Sequence, residues 1–228
     1  MKIGIAQINS TVGDLTGNFN ILRCAYDELS SDGADLVIFP ELALSGYPPR
    51  DLLLKKRFGE DCAEKLNQFA KLTGSCPALL GYPEKIDLKQ SRSYYNSVAL
   101  CFDGEVKQVF RKRLLPTYDV FDEARYFAAE NRSGLARSIG GMTLGVTVCE
   151  DAWQSAGKTP SAYEQDPIEH IAEWCRQGVD INATVNLSAS PFHSEKFSTR
   201  LEVARHAASV LNHPFLCDED FFWWNFKR

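Results

Sequence analysis

Residues 144–151 read LGVTVCED, an apolar β-run that ends on a cysteine and two acids. A short apolar stretch with β-branched residues, bounded by polar ones, is the signature of a buried strand. Two distant segments repeat the arrangement: LVIFPE (residues 36–41) closes on Glu41, and VFRKRLLP (residues 109–116) carries Lys112. Strands that run side by side put their ends on one rim, where residues remote in sequence converge. A carboxylate, an amine and a thiol delivered in this way are the parts of a covalent amide-cleaving site.

Outward from these segments, strands and helices alternate, with hairpins interposed. Residues 2–8 (KIGIAQI) and 35–39 (DLVIF) read as strands, the second cut by Pro40. Between them Asn18 is the expected N-cap of a helix with Phe19, Leu22, Tyr26 and Leu29 on its apolar face and a stop near Gly33. Asp51 opens helical sequence to about Leu72, and PALLGY is the next strand. Asp103-Gly104 between SVALCF and VKQVFR predicts a hairpin, and Gly140-Gly141 between LARSI and MTLGVTV predicts another. Asp166-Pro167 begins a further helix, DINATVNL is a strand, and a last helix spans about Ser198 to Leu211. The class is α/β with some antiparallel pairing.

Bulk properties narrow the function classes. A chain of 228 residues, 44% hydrophobic and 24% charged, has the composition of one sizeable globular domain. Its net charge of -5, with basic residues scattered among acids, argues against a nucleic-acid partner. No apolar run has the length of a membrane span, and the N-terminal MKIGIAQINS reads as a strand rather than a signal peptide. Seven cysteines without a CxxC pair fit neither a disulfide framework nor a zinc site, so a reducing cytoplasm is expected.

Each candidate has its own chemistry. Cys149 follows a strand that fixes its backbone, and as a free thiol it needs a base or a nearby cation to react. The acids Glu150 and Asp151 beside it raise its pKa. Glu41 is suited to general-base work if buried. Lys112, beside a thiol, favours thiolate and stabilises an oxyanion. His170, His193, His206 and His213 lack ligand spacing to one another, and the site already has a base.

FPELALSGY, RKRLLPTYDVFDE and GVTVCEDAW resemble the three catalytic segments of the nitrilase (carbon–nitrogen hydrolase) superfamily. More narrowly, AQINSTVGDLTGNFNIL, GYPPRDLL, PTYDVFDEARYF and NLSASPFH resemble the glutaminase domain of glutamine-dependent NAD+ synthetases, over residues 1 to about 216. The resemblance implies a four-layer αββα sandwich and a Glu41–Lys112–Cys149 triad acting on glutamine, with ammonia passed to the amidation of deamido-NAD+. It implies that Glu123 orients the lysine, that Tyr47, Tyr118 and Trp153 line the pocket, and that Ser190 and Lys196 meet the α-amino and α-carboxylate end of glutamine. No metal or organic cofactor is implied for amide cleavage. ATP and Mg belong to a synthetase domain with an SGGxDS-type loop, which the 228 residues do not contain, and such domains commonly form homo-oligomers.

The C-terminal residues depart from this pattern. After HPFL the chain reads CDEDFFWWNFKR, so residues 217–228 are expected to form a divergent tail and the sandwich to be incomplete at that end. Three functions follow as alternatives: a glutamine amidase working with a synthetase on another chain, a stand-alone carbon–nitrogen hydrolase for another small amide, or an inactive truncated fragment.

Overall fold

In the computed structural model the strand that ends at Cys149, β7 (Met142–Val148), shows how the layers are made. Side chains alternate faces along a strand. Leu144, Val146 and Val148 face inward to a core shared with Val185 and Leu187 of β8 (Ala183–Pro191). Across that core stand Leu36 and Ile38 of β2 (Leu36–Ile38), Leu79 of β3 (Ala78–Lys85), Val98 and Leu100 of β4 (Tyr94–Phe102), and Phe110 of β5 (Glu105–Arg111). Gly145 and Thr147 face the other way. A Cβ on Gly145 would stand 3.2 Å from Ile171 Cδ1 of α3 (Pro167–Arg176), so the missing side chain lets helix and sheet approach.

Two sheets result. One has the order β1-β2-β3-β4-β5, with β1 at Ile3–Ile5, and the other β6-β7-β8-β9, with β6 at Gly134–Ile139 and β9 at Phe215–Phe222. The outer face of the first sheet, through Val37, Phe39, Leu80 and Ala99, packs on Leu22 and Tyr26 of α1 (Leu15–Ser31) and Leu66 and Phe69 of α2 (Phe58–Ala70). On the far side, Ile168, Ile171 and Ala172 of α3 join Val203, Ala207 and Leu211 of α4 (Lys196–Leu211). This is the four-layer αββα sandwich.

The structure describes residues 1–86, 94–132, 134–139, 141–191 and 196–222. Within these spans the side chains at 136–138, 190–191, 196 and 219–222 lie outside the described set.

Local readings are revised at two places. Asp14, not Asn18, caps α1, its carboxylate accepting from Gly17 N at 2.9 Å. Asn18 is buried within the helix and ties it to neighbouring loops, donating to the carbonyls of Thr11 and Leu44. The helix expected from Asp51 is broken, because Lys55 is extended between a short 3-10 turn at Arg50–Leu54 and α2. Of the expected tail, residues 217–222 continue β9, which runs parallel to β8 from Thr184↔Phe215 to Pro191↔Phe222, and residues 223–228 lie outside the described residues.

Candidate active site

Glu41 leaves β2 one residue after Pro40 and is fully buried. Its backbone lies against Gly81 of β3, where a Cβ would meet Leu42 N and Pro40 O at 2.4 Å. Only glycine allows that approach. Three elements then hold the carboxylate. Oε1 accepts from Asn96 Nδ2 of β4 at 2.7 Å and from Lys112 Nζ at 2.7 Å, and Oε2 accepts from Ala189 N of β8 at 2.9 Å.

Lys112 follows β5, and its N–H donates to Asn96 O at 2.8 Å. Its ammonium, fully buried, lies 2.7 Å from Glu41 and 2.8 Å from Glu123. An ammonium has three donors, so one remains after these two bonds. Burial works against its charge, but Glu123 and Glu41 outweigh it, and the pKa stands well above the ordinary lysine range. Lys112 is therefore a cation at neutral pH. Glu123 also accepts from Tyr47 OH at 2.8 Å, while its Oε2 is buried without a hydrogen-bond partner.

Cys149 opens a 3-10 turn, Cys149–Ala152, immediately after β7. Its φ is +45°, a left-handed value that non-glycine residues adopt rarely and that clusters at functional sites. Asn186 Nδ2 donates to its carbonyl at 3.3 Å. Burial, then Glu41, pushes the thiol well above the ordinary thiol range, against the opposing charge of Lys112. Glu150 contributes in the same direction, but less than burial. The sulfur is thus held as a neutral thiol, and attack on a carbonyl requires a base to take its proton. Alkylation of Cys149 by iodoacetamide is expected to keep accelerating beyond about pH 9 rather than plateau near neutrality, as activated thiolates do. A plateau below about pH 8 in the alkylation profile would contradict this assignment.

The structure therefore brings Glu41, Lys112, Glu123, Cys149 and Tyr47 together. Tyr118 stands one step away, its hydroxyl on both oxygens of Glu150 at 2.9 Å. Trp153 shares a narrow cavity with Cys149, Asn186, Ser188 and Phe215. A larger cavity of about 320 Å³ is lined by Tyr47, Phe121, Glu123 and Arg125 but does not include Cys149. Ser190 lies in β8 and Lys196 opens α4, with side chains outside the described residues.

Several neighbours escaped the sequence reading. Asn96 was hidden at the start of an apolar strand. Ala189 contributes only a backbone N–H, which no side-chain pattern reveals. Glu150 was expected from the sequence beside the thiol, but not its burial or its bond from Tyr163 OH at 3.2 Å, and no cation among the described residues lies within ion-pair distance of it. Burial raises the Glu150 pKa, with Lys112 opposing. Among the described residues no group of three or more His, Cys, Asp or Glu is placed to hold a metal ion, and no helix is long and apolar enough to cross a membrane.

Residues 2–217 match the family model for carbon-nitrogen hydrolases. A glutamine-dependent NAD(+) synthetase of Synechocystis sp. is 38% identical over 219 residues, covering 94% of this chain and 38% of that protein. Among solved structures, glutamine-dependent NAD+ synthetase from Acinetobacter baumannii superposes with a TM-score of 0.83 at 26% identity, over 96% of this chain and 38% of that one. An amidase from Nesterenkonia sp. shares the fold, with a TM-score of 0.74 at 16% identity over 96% of this chain and 76% of its own. The chain thus spans well under half the length of the synthetases it matches.

Proposed function

Because the chain belongs to the carbon–nitrogen hydrolase family, we propose that it hydrolyses the side-chain amide of glutamine through a thioester on Cys149. The observation that carries this reading is the buried ammonium of Lys112 shared by Glu41 and Glu123 in the electrostatic neighbourhood of the thiol. As the sulfur bonds to the amide carbon, its proton passes to Glu41. The remaining donor of Lys112, with a backbone N–H, stabilises the oxyanion. The carbon–nitrogen bond then breaks, Glu41 returns the proton, and ammonia leaves. Water, deprotonated by Glu41, attacks the thioester; the carbon–sulfur bond breaks, the thiol is restored and glutamate departs.

Glu150 supports an α-amino acid as the substrate. A buried carboxylate one residue from the nucleophile, fixed by Tyr118 and Tyr163, suits an α-ammonium group. Tyr47 and Trp153 supply walls, and Ser190 and Lys196 are assigned to the α-amino and α-carboxylate end. Glu123 holds Lys112 in place and so acts as a positioning residue.

The likeness to glutamine-dependent NAD(+) synthetases supports a use for the ammonia: ATP-dependent amidation of deamido-NAD+. That half-reaction, with its ATP and Mg, is assigned to a synthetase domain or subunit beyond these 228 residues, and amide cleavage itself uses no cofactor. Pairing of subunits through this domain belongs to the same proposal.

The test is ammonia release from glutamine, N-acetylglutamine and butyramide by purified protein. Glutamine is expected to be cleaved at least about tenfold faster than either analogue, because the others leave Glu150 without its cation. Butyramide cleaved as fast as glutamine would overturn the substrate assignment.

A further inference from the structure

Lys112 and Cys149 follow strands of different sheets: β5 ends the first, and β7 lies inside the second. Ladder hydrogen bonds fix each within its own sheet but do not fix one against the other. Lys112 is tied back to β4 through Asn96 O, and the Cys149 carbonyl to β8 through Asn186. The distance between amine and sulfur therefore depends on something that bridges the sheets.

We infer that Asp151 is the positioning residue that holds the Lys112 segment in register with the Cys149 turn. Its side chain is buried, 2% exposed, within the turn that the cysteine opens. Oδ1 accepts from Arg113 N at 3.0 Å and from Leu114 N at 2.9 Å, the two residues that follow Lys112. Oδ2 accepts from Val148 N at 3.0 Å, the residue that precedes Cys149. One carboxylate thus joins the backbones of the amine-bearing and thiol-bearing segments. The same bond to Val148 N braces the turn at the point where Cys149 adopts its left-handed conformation.

Only a carboxylate satisfies all three donors. Asparagine keeps one acceptor oxygen and turns an NH2 group toward a backbone N–H, so one side of the bridge is broken. Burial raises the Asp151 carboxyl to about 6 against the pull of its backbone donors, so at neutral pH it is the anion that accepts them. Asp151 touches no reacting atom in this scheme, and its effect passes through the placement of two residues that do. A misplacement of about 1 Å is enough to cost roughly a hundredfold in rate.

The inference rests on the reading of Cys149 as the nucleophile, and the experiment keeps the two apart. In Asp151→Asn, kcat for glutamine is expected to fall about 10- to 100-fold with KM held within about threefold, scaled to the folded fraction from circular dichroism. Alkylation of Cys149 by iodoacetamide at about pH 8, which needs no substrate, is expected to slow at least about threefold as the thiol loses the charge of Lys112. A kcat within about twofold of wild type, or a loss that only tracks the unfolded fraction, overturns the inference. If the wild-type protein leaves glutamine intact, the substrate reading fails and the alkylation arm alone decides: a slowed rate supports the bridge and an unchanged rate overturns it. Should Asp151→Asn not fold, Asp151→Glu keeps the charge and shifts the oxygens, and the same kcat and alkylation readouts apply.

Discussion

Cys149→Ala is expected to lower glutamine hydrolysis by at least about 10,000-fold while the melting temperature stays within a few degrees of wild type. The activity loss follows from the scheme: Cys149 forms the acyl intermediate, and without it what remains is binding and oxyanion stabilisation. The fold survives for local reasons. The side chain is small, it lies just past β7 among the buried residues of the inter-sheet core, and alanine removes only a sulfur that makes none of the bonds holding the turn. Those bonds come from Asp151 and Asn186 to the main chain, and alanine keeps them. Ammonia release and a thermal melt on the same preparation check both halves. Retained activity above about one part in a hundred would move the nucleophile elsewhere.

Lys112→Ala should be equally inactive but for a second reason as well. Removing the ammonium leaves Glu41 and Glu123, both buried, without the cation they share. Breaking a buried ion pair by deleting one partner costs about 3–5 kcal/mol, because the surviving charge stays out of water. Folded domains hold about 5–15 kcal/mol in total, so the loss is a large fraction of the whole. Urea denaturation measures it directly. The double variant Lys112→Met with Glu123→Gln is expected to recover about half of the lost stability and none of the activity, since it removes one orphaned charge but restores no oxyanion donor. A single Lys112→Ala variant as stable as wild type would contradict the buried ion pairs as a source of stability.

The parts of this site that were legible in the sequence share one property. Glu41, Lys112 and Cys149 each follow an apolar run, so strand pattern and reactive side chain appear together within a few residues. The four-layer order was implied by the family resemblance, whereas the residues alone read as α/β; the structure then separates the inner Leu144, Val146 and Val148 from Gly145 and Thr147. What was not legible depends on contacts between segments far apart. Asn96 matters because the register of β4 puts its side chain on Glu41 and its carbonyl under Lys112. Asp151 reads only as an acid beside the thiol, and its bonds from Arg113 N and Leu114 N depend on sheet-to-sheet geometry that no local pattern carries. The cap expected at Asn18 is supplied by Asp14 instead, because tertiary packing draws Asn18 onto the loop carbonyl of Leu44. The break at Lys55 likewise comes from an extended residue inside sequence that is locally compatible with helix.

The most direct test of the central claim is to quench the enzyme into acid during turnover of glutamine and map the adduct by mass spectrometry. A γ-glutamyl group on the peptide that carries Cys149, absent from Cys149→Ala, is the result that follows from the chemistry above. Ammonia formed with that peptide unmodified, or the group found on another of the seven cysteines, would contradict it.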